Sequence, residues 1–217
     1  MKLYVCENFK TAKWRKNITN EKNLSLIFAK KCICEFIGEK KSEIEIVFTK
    51  NDFGKPCVES ICKLIEKNKD ETEKIKMDIS LFFSISHSEN MMICAVACFN
   101  IGADCQYLTG NFETCQKIAA RYFSEQENIY LGDLEKEKYM DDFFDIWTKK
   151  EAYIKYTGKG LSEGMNTFSV AEKAKQKNYH GEVYFKKINL NAEKNNLYIY
   201  LCYNKENKNT WKIKYFN

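Results

Sequence analysis

The 217-residue sequence has little that would divide the chain or place it in a membrane. It contains a single proline and nine scattered glycines, and no Pro/Gly/Ser-rich linker, so a flexible tether between folded parts is not expected. The longest apolar run is the nine residues from Met91 to Phe99, far short of the roughly 20 that a membrane-spanning helix needs. The first ten residues lack the apolar segment of an export signal. No membrane partner is therefore expected.

The net charge of the chain is also small. The 35 lysines and arginines exceed the 30 acidic residues by only five, and the excess is scattered along the chain. Such a charge suits an acidic protein or a phosphorylated ligand and does not indicate a nucleic-acid partner. The ten cysteines show no paired zinc-ligand spacing, and without export features they are interpreted as reduced thiols of a cytoplasmic protein.

Hydrophobic periodicity predicts short strands and a few helices. Apolar residues at helical spacing predict helices over residues 24–36, 112–123 and 141–156, the last ending at Gly158. Strands are predicted over residues 44–49, 81–85, 91–99 and 101–105 and in alternating segments from 181 to 216, with turns at 51–56 and 86–90. This order favours an α+β fold over a regular parallel α/β sheet. A boundary near Asn100 would give two units, residues 1–100 and 101–217.

Three short segments carry groups that could do chemistry. In the first, His87 lies between Ser86 and Ser88 at the end of a predicted strand, where the three side chains could offer hydrogen bonds to an anion. The alternative is a polar turn in which the serines satisfy local backbone groups. The other histidine, His180, lies in a polar stretch and is interpreted as a surface residue.

The second segment places an acid inside an apolar strand. A buried aspartate needs a cation, a metal or a strand end, so Asp104 requires a partner. Asp104 and Gln106 point to the same face of a strand, and two oxygen-bearing side chains could form part of a Mg²⁺ site. The alternative is an aspartate that caps a turn at the end of the strand.

The third segment is the long helix around Trp147. At 100° per residue one arc is shared by Phe143, Trp147, Lys150 and Ile154, with Glu151 and Lys155 at its edge on adjacent turns. The pair could be partly buried beside the indole. The alternative is a surface ion pair, which is worth only about 0.3–0.5 kcal/mol.

Together, in their order and spacing, these segments resemble the 4′-phosphopantetheinyl transferases of the Sfp type. The family pattern has a GKP turn, then FN(I/L)SHS, then G(I/V)D(I/V)E, then WxxKExxxK followed by GKGL. The corresponding residues in this chain are Gly54-Lys55-Pro56, Phe83-Ser84-Ile85-Ser86-His87-Ser88, Gly102-Ala103-Asp104-Cys105-Gln106, Trp147 to Lys155 with Lys150 and Glu151 between them, and Gly158-Lys159-Gly160-Leu161. The resemblance runs from about Gly54 to Val170.

The resemblance implies a fold of two similar α+β halves related by a pseudo-twofold axis, with the active site in the cleft between them. It also implies an enzyme of the holo-[acyl-carrier-protein] synthase type. Such an enzyme moves the phosphopantetheine arm of coenzyme A onto a serine of an acyl or peptidyl carrier protein and releases 3′,5′-adenosine bisphosphate. Because one chain contains both halves, a monomer is expected.

The resemblance also implies roles for individual residues. Asp104, Gln106 and Glu151 would hold Mg²⁺. Glu151, Lys155 and Asp104 would form the catalytic group, with Glu151 as the base for the serine hydroxyl and Lys155 at the departing phosphate. The residues predicted to bind coenzyme A are Lys55, Pro56, Ser86, His87, Lys150 and Lys155. Lys30 or Lys31 would be a further contact of its 3′-phosphate.

Two positions depart from the family pattern. Gln106 replaces the second acid of the GxDxE segment, which keeps an oxygen ligand but removes one charge. Ser84 replaces the usual asparagine. The first change leaves open an alternative function, in which the protein is a catalytically degenerate module that binds coenzyme A or a carrier protein.

Overall fold

The computed structural model describes residues 1–10, 24–68, 71–171, 183–190, 196–204, 207 and 211–216. In chain order its elements are β1 (Lys2–Glu7), α1 (Leu24–Ile37), β2 (Ile44–Lys50), β3 (Pro56–Asn68), β4 (Glu71–Lys76), β5 (Phe82–Ser88), β6 (Met91–Ala97), β7 (Ile101–Tyr107), α2 (Phe112–Tyr122), α3 (Glu125–Gly132), α4 (Lys136–Thr157), β8 (Val183–Lys187), β9 (Leu197–Asn204) and β10 (Lys212–Tyr215). In this described part of the chain, no helix is both long and apolar enough to cross a membrane.

The strands form three sheets, ordered β10-β1-β6-β5, β2-β3-β4 and β7-β9-β8. Every neighbouring pair is antiparallel except β1 and β10, which run parallel with Leu3 opposite Ile213. The last strand therefore returns to the sheet that holds the first. Mostly antiparallel sheets combined with helices confirm the predicted α+β class. The boundary between residues 1–100 and 101–217 stays a prediction.

Strand β6 is buried along its whole length because apolar layers cover both of its faces. On one face Met92 and Cys94 join a core that includes Phe28 of α1. On the other face Ile93 joins a second core that includes Ile199 of β9. The continuous apolar sequence of β6 is thus the pattern expected of a strand between two hydrophobic layers.

Helix α4 lies directly on strand β7 because Gly102 has no side chain. A Cβ atom on Gly102 would lie 1.9 Å from the Ala152 carbonyl oxygen and 2.5 Å from the Tyr156 nitrogen. The helix ends at Gly158, whose left-handed φ of 73° favours glycine, as the sequence predicted. This close approach places the middle of β7 beside the last turns of α4.

The structure corrects one turn prediction. Residues 86–90 were expected to form a polar turn, but β5 continues through Ser88 and only Glu89 and Asn90 form the turn. The turn is closed by Glu89 with a φ of 51°. Alternation of apolar and polar residues favours a strand, and the paired strand β6 supplies partners for this stretch. Strands β1, β3 and β4 and helix α3 were not predicted, and His180 lies outside the described residues.

Candidate active site

A cleft of about 890 Å³ has walls from several parts of the fold. Strand β5 and the turn at residues 51–56 contribute one side, and β7, α4 and the segment after Gly158 contribute the other. Ser25 and Leu26 of the first turn of α1 also line it. The predicted residues Lys55, Pro56, Ser86, His87, Asp104, Gln106, Glu151 and Lys155 all line this cleft.

Asp104 of β7 is the most enclosed acid of the cleft, with 1% of its surface exposed. Its Oδ1 atom accepts hydrogen bonds from Ser86 Oγ at 2.5 Å and from Lys155 Nζ at 2.6 Å. Its Oδ2 atom accepts one from Gln106 Nε2 at 3.2 Å. A carboxylate taken out of water needs such partners. Because Asp104 lies in the middle of β7 and bonds these side chains, the alternative of an aspartate that caps a turn at the end of the strand is wrong.

Lys155 links helix α4 to strand β7. Burial by itself would lower the pKa of Lys155, but the charge and hydrogen bond of Asp104 and the charge of Glu151 outweigh it, and the net pKa is raised. Lys155 is therefore held in its protonated, positively charged form. The alternative of a surface pair between Glu151 and Lys155 is wrong, because the lysine bonds Asp104 across the cleft wall.

Glu151 lies one helical turn before Lys155 and is half-buried. Burial raises the pKa of Glu151, the negative charge of Asp104 raises it further, and Lys155 offsets part of this. None of the residues that the structure describes donates a hydrogen bond to its carboxylate. Glu151 is therefore placed to accept a proton or to contact a cation.

The serines of β5 form hydrogen bonds with strand β7, and Ser84 and Ser86 also line the cleft. Ser84 Oγ accepts a hydrogen bond from the Ala103 nitrogen at 2.9 Å, and Ser88 Oγ accepts one from the Tyr107 nitrogen at 3.0 Å. Ser86 lies between them and donates to Asp104. His87 points to the other side of the strand and is exposed, with its ring centroid 6.0 Å from that of Phe9. Of the predicted anion-binding trio, His87 is the open group.

The turn at residues 51–56 is tied to the end of α4 by one side chain. Asn51 Oδ1 accepts hydrogen bonds from the Phe53 and Lys55 nitrogens, and Asn51 Nδ2 donates to the Gly158 carbonyl at 2.9 Å. Lys55 Nζ lies 3.4 Å from Asn100 Oδ1. Burial lowers the pKa of Lys55. Lys55 and Pro56 are thus held at the cleft wall by contacts with the chain beyond residue 99.

The half of the chain that holds β7 and α4 is similar to known proteins. The sequence profile of the 4′-phosphopantetheinyl transferase superfamily matches residues 100–208, about half of the chain. The chain belongs to this superfamily. The matched region includes β7 with Asp104 and Gln106, and α4 with Glu151 and Lys155.

Individual members of the superfamily are similar over part of the chain. The 4′-phosphopantetheinyl transferase gsp of Aneurinibacillus migulanus is 33% identical over 123 residues, which are 57% of this chain and 43% of gsp. Sfp of Bacillus subtilis is 32% identical over 126 residues, 58% of this chain and 47% of Sfp. HetI of Nostoc is 39% identical over 84 residues, 38% of this chain and 35% of HetI. The matched segments span less than half of each of these relatives.

The oxygen donors of the cleft fit the magnesium that the superfamily resemblance implies. Asp104 and Glu151 bring two carboxylates close enough for one to raise the pKa of the other, and a divalent cation would relieve that repulsion. Gln106 donates its amide to Asp104, so this amide must rotate to offer its oxygen. In the described part of the chain, no three His, Cys, Asp or Glu side chains are grouped to hold a metal. Magnesium keeps water and substrate phosphate among its ligands, so two carboxylates suffice.

Lys150 does not line the cleft of this phosphopantetheinyl transferase homologue, which contradicts its predicted contact with coenzyme A. Its side chain is fully buried and forms an ion pair with Glu127 at 2.8 Å. It also donates to the Met165 and Phe168 carbonyls at 2.7 and 2.6 Å. Three donors have three acceptors, so none is left for a ligand. Residues predicted to share one face of the helix therefore have different surroundings. Trp147 and Ile154 line the cleft, whereas Lys150 is buried in the core.

The N-terminal lysines also lie away from the position that the family resemblance implied. Lys31 Nζ lies over the Phe216 ring at 4.1 Å from its centroid, and neither Lys30 nor Lys31 lines the cleft. The cleft residue from α1 is instead Ser25, and Lys50 at the end of β2 supplies a positive charge. Neither was predicted, because Ser25 lies within the predicted helix 24–36 and Lys50 directly before the predicted turn 51–56, and neither position by itself indicates a ligand contact.

Proposed function

We propose that the protein transfers the 4′-phosphopantetheine arm of coenzyme A to a serine of an acyl or peptidyl carrier protein, as a holo-[acyl-carrier-protein] synthase type enzyme. The observation that carries the proposal is the meeting of Asp104, Glu151 and Lys155 in one cleft. Asp104 comes from β7, and Glu151 and Lys155 come from α4. Two acids and one lysine are groups suited to an attack on a pyrophosphate. The names of the similar proteins support the same reaction.

Coenzyme A would lie along the cleft with its charged end at the N-terminal wall. Lys50, Lys55 and His87 line that wall and offer donors for phosphate groups. The first turn of α1, with Ser25, lies in the same wall, where helix amides favour an anion. Pro56 offers an apolar surface for the adenine base of coenzyme A. We therefore assign the 3′-phosphate to the region of His87 and the pyrophosphate to the region of Lys155.

In the reaction, the carrier serine oxygen forms a bond to the phosphorus on the pantetheine side of the pyrophosphate. The bond from this phosphorus to the bridging oxygen breaks, and 3′,5′-adenosine bisphosphate departs. Glu151 takes the serine proton, because its carboxylate lines the cleft and accepts no hydrogen bond from the described residues. Lys155 holds positive charge next to the departing oxygen.

Magnesium would be held by Asp104 and Glu151, with Gln106 as a third candidate ligand. When bound, it supplies positive charge that offsets the negative charge of the pyrophosphate. Asp104 serves this site because Ser86 and Lys155 fix its carboxylate in the cleft wall.

Mass spectrometry tests the proposal directly. Purified protein is mixed with Mg²⁺, coenzyme A and a panel of apo carrier proteins, and a mass gain of one phosphopantetheine on at least one carrier is expected. Glu151→Ala and Asp104→Ala should each lower the rate about 100-fold or more, since general-base and electrostatic groups contribute at least this much. Glu137→Ala, at an exposed acid in the first turn of α4, is the matched control and should keep the rate. No mass gain on any carrier would contradict the proposal.

The alternative, a degenerate module that binds coenzyme A or a carrier, rests on Gln106. Its amide occupies Asp104 Oδ2 where a second acid would otherwise add negative charge. Calorimetry separates the two functions. Tight binding of coenzyme A together with no transfer to any carrier would favour the module, and transfer would exclude it.

Three further features are proposals that accompany this function. The first is the pseudo-twofold relation of residues 1–100 and 101–217 with the cleft between them, which the cleft walls from both ranges support. The second is a monomer, since one chain contains both of the ranges that line the cleft. The third is a cytoplasmic location, which fits ten cysteines that are all free.

A further inference from the structure

We propose that Ser86 is a positioning residue for Asp104 and not a ligand of a coenzyme A phosphate. Together with Lys155 it occupies Oδ1 of Asp104, and this leaves Oδ2 as the oxygen that would be available to hold the cation. This inference rests on the proposed function, since the cation belongs to that reaction. It differs from the prediction that placed Ser86 with His87 on the phosphates.

The only proton of the Ser86 hydroxyl is already used in a hydrogen bond. The Ser86 hydroxyl has one proton, and it donates this proton to Asp104 Oδ1 at 2.5 Å. Ser86 is 5% exposed, so water does not compete for the bond. Hydrogen bonds to a charged acceptor are about twice as strong as neutral ones. A phosphate contact would require breaking this bond and leaving a buried carboxylate with one partner fewer.

The neighbouring serines hold Ser86 in a fixed frame. Ser84 bonds the backbone of Ala103, and Ser88 bonds the backbone of Tyr107, so β5 is pinned to β7 on both sides of Asp104. Ser86 is the one serine of the three whose hydroxyl bonds a β7 side chain. These two bonds between neighbouring sheets fix the distance from the Ser86 hydroxyl to Asp104, and the carboxylate cannot rotate freely.

The two oxygens of Asp104 are bound unequally. Oδ1 has two short bonds, to Ser86 and Lys155, and one of these partners is charged. Oδ2 has a single bond of 3.2 Å to the Gln106 amide, which is the weaker and more easily displaced contact. Without Ser86, Lys155 alone holds Oδ1, and the carboxylate loses the contact that sets its plane. Loss of such an outer partner typically lowers metal affinity about 10- to 100-fold.

The test compares Ser86→Ala and Ser86→Thr with Ser88→Ala as the matched control. Ser88→Ala removes a hydroxyl from the same strand face and breaks a bond to β7, but it does not touch Asp104. Mn²⁺ binding in the presence of coenzyme A is measured by electron paramagnetic resonance, and coenzyme A binding without metal is measured by calorimetry. Neither readout depends on transfer activity.

We expect Ser86→Ala to weaken Mn²⁺ binding about tenfold or more and to leave metal-free coenzyme A binding unchanged. Ser86→Thr keeps a hydroxyl and should restore most of the Mn²⁺ affinity. Ser88→Ala loses one bond to β7 but leaves the Asp104 contacts intact, so it should weaken Mn²⁺ binding far less than Ser86→Ala does. Weaker metal-free coenzyme A binding in Ser86→Ala with unchanged Mn²⁺ affinity would overturn the proposal in favour of a phosphate contact. Absence of Mn²⁺ binding in the parent protein would also overturn it. Absence of transfer alongside the expected Mn²⁺ pattern would contradict the proposed reaction and leave the role of Ser86 standing.

Discussion

Two lysines on helix α4, Lys150 and Lys155, each pair with a buried carboxylate, and the two clusters differ in what is left unpaired. Lys150 faces the C-terminal core and pairs with Glu127, and both side chains are 0% exposed. Lys155 faces the cleft and pairs with Asp104, and 28% of its side chain is exposed. The residues are five positions apart, which on a helix turns them toward different surroundings.

In the Glu127 cluster both carboxylate oxygens accept hydrogen bonds. Its Oε2 atom accepts from the Ser124 nitrogen, the Ser124 hydroxyl and Lys150. Its Oε1 atom accepts from the Ser169 hydroxyl and the Val170 nitrogen. The cluster thereby fastens the chain near residues 165–170 to helices α3 and α4. A buried network of this kind has no hydrogen-bonding group left for a ligand, and its role is to stabilise the fold.

The cleft cluster is incomplete by the same measure. Asp104 Oδ2 has one long contact, and the pKa of Glu151 is raised by burial and by the charge of Asp104. Carboxylates in an open cleft that lack enough donors or positive charges destabilise the metal-free protein. The same carboxylates are suited to binding a cation and accepting a proton. The contrast teaches that the number of unfilled acceptors, more than burial or charge, separates the lysine of the cleft from the lysine of the core.

The largest effect should come from breaking the saturated cluster. Lys150→Met removes the cation and leaves the Glu127 charge buried, which we expect to lower the free energy of unfolding by about 3–5 kcal/mol. Urea denaturation followed by circular dichroism measures this loss. Lys67→Met is the control, because Lys67 and Glu73 pair at 3.0 Å with about half of each side chain exposed, and it should change stability by less than about 1 kcal/mol. Equal stabilities of the two variants would refute the contrast.

A smaller loss should follow when the two elements of the cleft cluster are pushed apart. Gly102→Ala places a methyl group against the α4 backbone at the Ala152 carbonyl, and backbone cannot move as a side chain can. We expect a loss of about 1–3 kcal/mol from overpacking, together with weaker Mn²⁺ binding as Glu151 moves from Asp104. Gly132→Ala is the control, since a Cβ there meets no atom within 4 Å. Unchanged Mn²⁺ binding in a folded Gly102→Ala protein would mean that the contact between β7 and α4 does not set the site.

The sequence predicts the parts of this comparison that depend on local pattern. Helix α4 and strand β7 follow from periodicity, and the order of the motifs along the chain is enough to group Asp104, Glu151 and Lys155 as candidates. Periodicity could not divide Lys150 from Lys155, because the partner of Lys150 is Glu127, which lies in another helix. The extension of β5 through Ser86 was missed for a similar reason, since a polar SHS segment is typical of a turn until β6 and β7 provide its partners. Lys50 and Ser25 carry no pattern at all, and only the tertiary fold brings them to the cleft.

The smallest effect, and the sharpest test of the contrast, is a gain of stability at the functional site. Because the pKa of Glu151 is raised in the folded protein, ionised Glu151 destabilises the metal-free fold at every pH above that raised value. Glu151→Gln removes the charge, so its melting temperature should exceed that of the parent at pH 7. The gain should shrink as the pH falls through the raised pKa and disappear below the pKa of an ordinary glutamate. Differential scanning fluorimetry across pH 4–8 in the presence of a metal chelator measures it. Glu137→Gln, at an exposed acid of the same helix, should show no such pH-dependent gain. A lower melting temperature for Glu151→Gln at pH 7 would mean that Lys155 needs Glu151 as a structural partner, and the cleft cluster would then belong with the saturated one.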